Sequence, residues 1–170
     1  LGALLAEVPH TKPIRLVGGS HDPEMSARLG LRPARYEGPT GIVGVLNVLC
    51  RDASVPTASL WANVPHYVSG IENPRAALAL VTRVLTLLRA EADLSDLREA
   101  AEQFDQNLGS IVAQNAKIAD YVRKLERLRP DQEEESPVAE AGPAQDELPP
   151  SGYLVAEIEQ FLRQQRPEAS

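Results

Sequence analysis

Short apolar blocks alternate with helical stripes along the first 92 residues. Residues 1–8 form a brief apolar run closed by Pro9, and residues 14–17 form a second, stopped by Gly18-Gly19; both read as strands. Asp22-Pro23 pairs an N-cap residue with proline at the first helical position, and Gly30 closes that helix. A further helix opens at Thr40 or Gly41 and runs to about Arg51. Residues 55–64 hold β-branched and aromatic side chains and make the best strand of the chain. Asn73-Pro74 repeats the cap-plus-proline signal, and the helix behind it carries Leu78, Val81, Leu85 and Leu88 on one face. Strands alternating with helices predict an α/β fold with a largely parallel sheet.

From residue 93 the period changes. Leu94, Leu97, Ala101, Phe104, Leu108, Ile111, Asn115, Ile118, Val122 and Leu125 follow one another at spacings of three and four. This heptad pattern predicts one long helix over 93–129 with a coiled-coil-like seam. Such a seam serves two ends. It joins copies of the chain through Leu97, Phe104, Leu108, Ile111, Asn115 and Ile118, or it packs the helix on its own domain. Asn115 falls on an a-type position, where a buried amide sets register at some cost in stability, so Asn115→Leu is expected to stabilise. Residues 130–150 hold five prolines and almost no apolar side chains, the composition of a disordered linker. Residues 151–166 regain a helical stripe, with Leu154, Ile158, Phe161 and Leu162 on one face of a short amphipathic helix.

Charge sharpens this division. Seven of the 24 acidic residues lie in 130–150, with no Lys or Arg, so the net charge of −7 comes from that stretch and the remainder balances at 17 and 17. A balanced body has no electrostatic footprint for nucleic acid. Charges interrupt every long apolar segment, so no membrane span is expected. The single cysteine, Cys50, forms no internal disulfide and fits a cytoplasmic location. Leu1 falls inside a predicted strand, which leads us to expect further chain before it.

Candidate chemistry gathers where strands end. Ala6-Glu7-Val8-Pro9-His10 and Ala62-Asn63-Val64-Pro65-His66 both run into Pro-His, and in α/β sheets the crevice outside the strands' carboxyl ends is where ligands bind. Between them, Tyr36-Glu37-Gly38-Pro39-Thr40-Gly41 leads into a helix whose first N–H groups attract anions. His10, Glu37, Gly38, Thr40, Gly41 and His66 therefore form a candidate ligand set. The glycines match neither a nucleotide P-loop nor a dinucleotide fingerprint, so a tight strand-to-helix turn that needs glycine is the favoured explanation over anion binding. The histidines have no third partner at metal-ligand spacing, and a histidine after a strand-end proline commonly satisfies a backbone group. No catalytic residue, cofactor or metal is assigned. Trp61 and Tyr67 flank the second Pro-His and serve either a pocket or the core.

These segments carry a resemblance. The runs Gly2-Ala3-Leu4-Leu5-Ala6-Glu7-Val8-Pro9-His10-Thr11-Lys12-Pro13, Tyr36-Glu37-Gly38-Pro39-Thr40-Gly41-Ile42, Ser59-Leu60-Trp61-Ala62 with Val64-Pro65-His66-Tyr67-Val68, and Asn73-Pro74 resemble the proteasome assembly chaperone 2 family in its actinobacterial form. The likeness extends through Tyr121-Val122 and Leu125-Glu126 to Glu157-Ile158-Glu159 and Phe161-Leu162, and corresponds to the C-terminal part of the family's chain. It implies an α/β/α sandwich similar to nucleoside phosphorylases, homo-oligomers, and proteasome subunits as partners. Archaeal relatives dock through a hydrophobic-Tyr-x ending. This sequence ends Arg166-Pro167-Glu168-Ala169-Ser170 instead. Two functions follow as expectations: a non-catalytic, chaperone-like interaction protein, or a small-molecule (anion or nucleoside-like) binding protein or enzyme using the strand-end crevice. A crevice filled by hydrogen-bonded histidines favours the first, an open one the second.

Overall fold

Three strands, β1 (Gly2–Ala6), β2 (Leu16–Gly19) and β3 (Ser59–Pro65), form a mixed sheet in the computed structural model, which describes residues 1–30 and 41–127. The order is β1-β3-β2, with β1 parallel and β2 antiparallel to β3. The expected largely parallel sheet is thereby corrected, and loop length gives the reason. Only residues 7–15 separate β1 from β2 and none of them is helical. A parallel return needs a crossover of a dozen residues or more, so the chain folds back antiparallel on the far side of β3. Gly18 lets β2 approach closely, because a Cβ there would stand 2.0 Å from the Ser59 carbonyl oxygen.

The two cap-plus-proline signals form as the local chemistry requires. Asp22 accepts from the amides of Glu24 and Met25 to start α1 (Pro23–Leu29), which Gly30 ends in the left-handed conformation. Asn73 accepts from the Ala76 amide to start α3 (Pro74–Leu88). α2 (Ile42–Asp52) begins after Gly41 without a side-chain cap. Leu60, Ala62 and Val64 of β3 pack with Ala76 and Leu80 of α3 and Leu29 of α1 to make the first core. Each side chain of leucine or valine size buried there stabilises the fold by roughly 1.5–3 kcal/mol.

The single long helix expected over 93–129 is two helices, α4 (Ser95–Gln114) and α5 (Ala116–Glu126), broken at Asn115. Asn115 is extended (φ −122°, ψ 104°), and its side chain accepts from the amides of Lys117 and Ile118 as the N-cap of α5. A short amide side chain competes for backbone partners, which favours caps over helix interiors. The three-and-four spacing survives because each helix keeps its own stripe. Leu108, Ile111 and Val112 of α4 and Ile118, Val122 and Leu125 of α5 close over Tyr67 and Val68 in a second core. Of the side chains assigned to an intermolecular seam, Leu108, Ile111 and Ile118 are buried inside this chain, Phe104 packs on the same core, and Leu97 and Asn115 are half-buried. α4 also lies along α3. The expected linker at 130–150 and helix at 151–166 fall outside the described residues.

A cap reverses the sign expected of Asn115→Leu. Leucine cannot bond the two amides, so the substitution is expected to cost about 1 kcal/mol. Urea unfolding checks this, and a raised midpoint would contradict the break between α4 and α5.

A filled crevice at the strand ends

The parallel register sets Ala6 opposite Pro65, so both Pro-His segments leave the sheet side by side. The chain turns from β3 directly into a 3-10 turn, His66–Val68, which drives the Tyr67 ring inward to 1% exposure. The Tyr67 hydroxyl accepts from the His10 amide at 2.7 Å and stands 2.8 Å from His10 Nδ1. The hydroxyl has a proton to give and a second lone pair to accept with, so it pairs with Nδ1 in either tautomer of the neutral ring. Burial, assisted by the positive charge of Arg75, holds His10 below its ordinary pKa of 6.5. Burial likewise pushes the Tyr67 phenol up.

His66 continues the cluster. Its Nδ1 lies 3.3 Å from the Ala6 carbonyl and its Nε2 3.2 Å from the Tyr121 hydroxyl of α5. Burial, with the charge of Glu7 behind it, pushes Tyr121 up to about 12. His66 meets Tyr67 and Tyr121 edge-to-face with ring centres 5.6 Å apart, and His10 meets Tyr67 the same way at 6.0 Å. That geometry aligns positive ring edges with negative faces.

An arginine closes the side of the crevice. Arg75, in the first turn of α3, donates to the carbonyls of His10 and Lys12, the latter at 3.0 Å, and pairs through Nε with Asp105 of α4 at 3.1 Å. Thr11 donates to Glu126 at the end of α5 at 2.6 Å. Side chains of α3 and α5 are thus tied to the loop after β1, and α4 is joined to it through Arg75. At neutral pH both tyrosines keep their protons and His10 is uncharged, so the arrangement holds polar groups in mutual hydrogen bonds.

The structure brings together two of the six sequence candidates, His10 and His66, each edge-to-face with Tyr67. Gly41 is exposed ahead of α2, and Glu37, Gly38 and Thr40 lie outside the described residues. Tyr121, Arg75 and Asp105 are not among the sequence candidates, and Tyr67, expected in either a pocket or the core, lies in the core with its hydroxyl in the crevice. The available signals were the aromatic directly after Pro65-His66 and the arginine directly after the Asn73-Pro74 cap. Among the described residues no cluster of three His, Cys, Asp or Glu is placed to hold a metal ion, and no helix is long and apolar enough to cross a membrane.

A second feature lies away from the crevice. α2 has no buried residue, and Ile42, Leu46 and Leu49 are 81%, 57% and 60% exposed. Its Asn47 donates to Ser59, holding the helix beside the first residue of β3.

The molecule is thus a mixed α/β protein, with three strands and five α-helices among the described residues, whose strand-end crevice is occupied by its own side chains. The chain belongs to the PAC2 family, whose model matches residues 1–112. It is similar to the crystal structure of a PAC2 family protein from Streptomyces avermitilis, at 42% identity and a TM-score of 0.62 over 71% of this chain and 50% of that one. A proteasome-assembly chaperone homologue of Mycobacterium tuberculosis gives 42% identity and a TM-score of 0.62, over 71% of this chain and 51% of its own. A Mycobacterium tuberculosis protein of unknown function gives a TM-score of 0.68 at 26% identity, over 74% and 43%. The chain spans about half the length of these proteins. No curated protein matches its sequence.

Proposed function

We propose that this chain is a chaperone-like protein-binding protein whose partners are proteasome subunits. The observation that supports this most is the filled crevice. Three of the four ring nitrogens a small-molecule site would use, His10 Nδ1 and both of His66, are taken by Tyr67, the Ala6 carbonyl and Tyr121. The reading rests also on the mycobacterial relative described as a proteasome-assembly chaperone homologue. The exposed apolar α2 is the kind of surface that protein partners cover. The α/β/α sandwich, self-association and a cytoplasmic location belong to the same proposal, as what family membership implies.

Mixing the purified protein with separately purified actinobacterial proteasome α and β subunits tests it. Native mass spectrometry is expected to show a complex with free subunits that is absent from the mature particle. No complex with either subunit would refute the reading.

A further inference from the structure

Asn115 alone separates α4 from α5, and α5 is anchored at the strand ends. Its Tyr121 hydroxyl stands 3.2 Å from His66 Nε2 in the segment after β3. Its Glu126 accepts from Thr11 in the segment after β1. Its Ile118, Val122 and Leu125 are 1%, 4% and 2% exposed and lie in one core with Tyr67 and Val68. α5 is thus a plug in the crevice, carried on a one-residue hinge.

The same residues have a straight alternative. Leu108, Ile111, Asn115, Ile118, Val122 and Leu125 keep their spacings of three and four across the hinge, so the apolar stripe runs through the break without a change of phase. No proline lies between residues 95 and 127. Turning Asn115 into the helical region would join residues 95–126 into one helix, about 48 Å long at 1.5 Å per residue. The amides of Lys117 and Ile118 would then exchange the Asn115 side chain for the carbonyls of Ala113 and Gln114. The hinge therefore trades one set of backbone partners for another. What the straight form loses is the plug. Ile118, Val122 and Leu125 leave their core, and Tyr67 and His66 are uncovered. The surface that fits a withdrawn α5 is the same crevice in another copy, and the vacated crevice fits the α5 of that copy. A two-fold pair closes this exchange with every plug contact remade.

We propose that α5 exchanges between copies of this chain. In the pair, each chain straightens at Asn115 and seats its α5 in the strand-end crevice of the other, with Tyr121 on His66 and Glu126 on Thr11 across the two copies. Asn115 sets the balance. Its cap favours the folded-back form, and so does dilution, because pairing costs the freedom of one chain. The exchange involves no proteasome subunit and stands apart from the proposed function.

Cross-linking in the full chain tests it. In a Cys50→Ser background, Thr11→Cys and Glu126→Cys put exposed thiols on the two sides of the plug contact, within reach of a short bismaleimide. Isotope-labelled and unlabelled chains are refolded together from urea over a range of concentrations. Mass spectrometry of the linked peptides then separates links between chains from links within them. His21→Cys with Thr57→Cys, a pair joined in the structure away from α5, is the control and is expected to link within single chains at every concentration. The 11–126 link is expected to pass from within chains to between chains as concentration rises, and dimers isolated by size exclusion are expected to carry it only between chains. Asn115→Ala removes the cap and supplies the best helix former, about tenfold at each hinge, so with two hinges the crossover is expected at about a hundredfold lower concentration. Links between chains that are absent from Asn115→Ala, or as frequent in the parent as in Asn115→Ala, would each overturn the proposal. So would dimers whose 11–126 links stay within single chains.

Discussion

Replacing Tyr67 with alanine is expected to lower folding stability by about 3–5 kcal/mol, the range for losing a large buried aromatic side chain. Tyr67 is the hub between the sheet and the helical pair. It is 1% exposed, packs with Leu108, Ile118 and Leu125, and holds both the amide and the ring of His10. Tyr67→Phe separates the two roles. It keeps the ring and removes only the oxygen, leaving the His10 amide and Nδ1 buried without partners, at a cost of about 1–3 kcal/mol. The same site predicts a pH effect. His10 has a lowered pKa in the folded chain, so the unfolded chain binds the proton more readily. Stability from this site is fully present above about pH 6.5, the ordinary value, and is lost as pH falls through the lowered one. Urea midpoints are expected to drop between pH 7 and pH 5.5 in the parent chain, and to drop less in His10→Gln. Parallel pH curves for the two proteins would show that His10 is not held neutral.

Local chemistry was legible from the sequence and long-range chemistry was not. Asp22-Pro23 and Asn73-Pro74 specify their helix starts within three residues, and both caps form. The short apolar runs specify strands, yet nothing in 14–17 says which way the strand runs. That direction comes from the few residues available for the return. Asn115 was misread for a related reason. A three-and-four spacing is the same whether the stripe follows one helix or two helices folded on a shared core, and the cap preference of asparagine was the local clue to the break. The bonds that fill the crevice join residues 55 to 65 positions apart, His66 to Tyr121, His10 to Tyr67 and Arg75 to His10. No periodicity marks such pairs. Only the sheet register, which sets Ala6 opposite Pro65 so that the segments after β1 and β3 leave the same edge, brings them into reach.

Arg75→Met is expected to cost about 2–3 kcal/mol, next to Tyr67→Ala in size. The side chain is 15% exposed and serves two carbonyls and one carboxylate, so its removal strands several acceptors at once. Asp105 is 46% exposed and water takes over its solvation, so Asp105→Asn is expected to cost no more than about 1 kcal/mol. Arg75→Lys keeps the charge but replaces a planar fork with a single point donor, and is expected to recover less than half of the loss. Equal costs for Arg75→Met and Asp105→Asn would mean that the ion pair, and not the grip on the loop, is what matters. The carbonyls Arg75 holds belong to the loop whose His10 amide bonds Tyr67, so the two residues secure one segment from opposite sides. Residues that share a segment are coupled. The double variant Arg75→Met/Tyr67→Phe is therefore expected to lose less than the two single losses combined, because the first change already frees the loop. The His10 amide, read by hydrogen exchange, is expected to open with either one. Full additivity, with His10 still protected in Arg75→Met, would instead divide the crevice into two independent contacts. The filled strand ends would then be a set of separate fillings and not one closed structure.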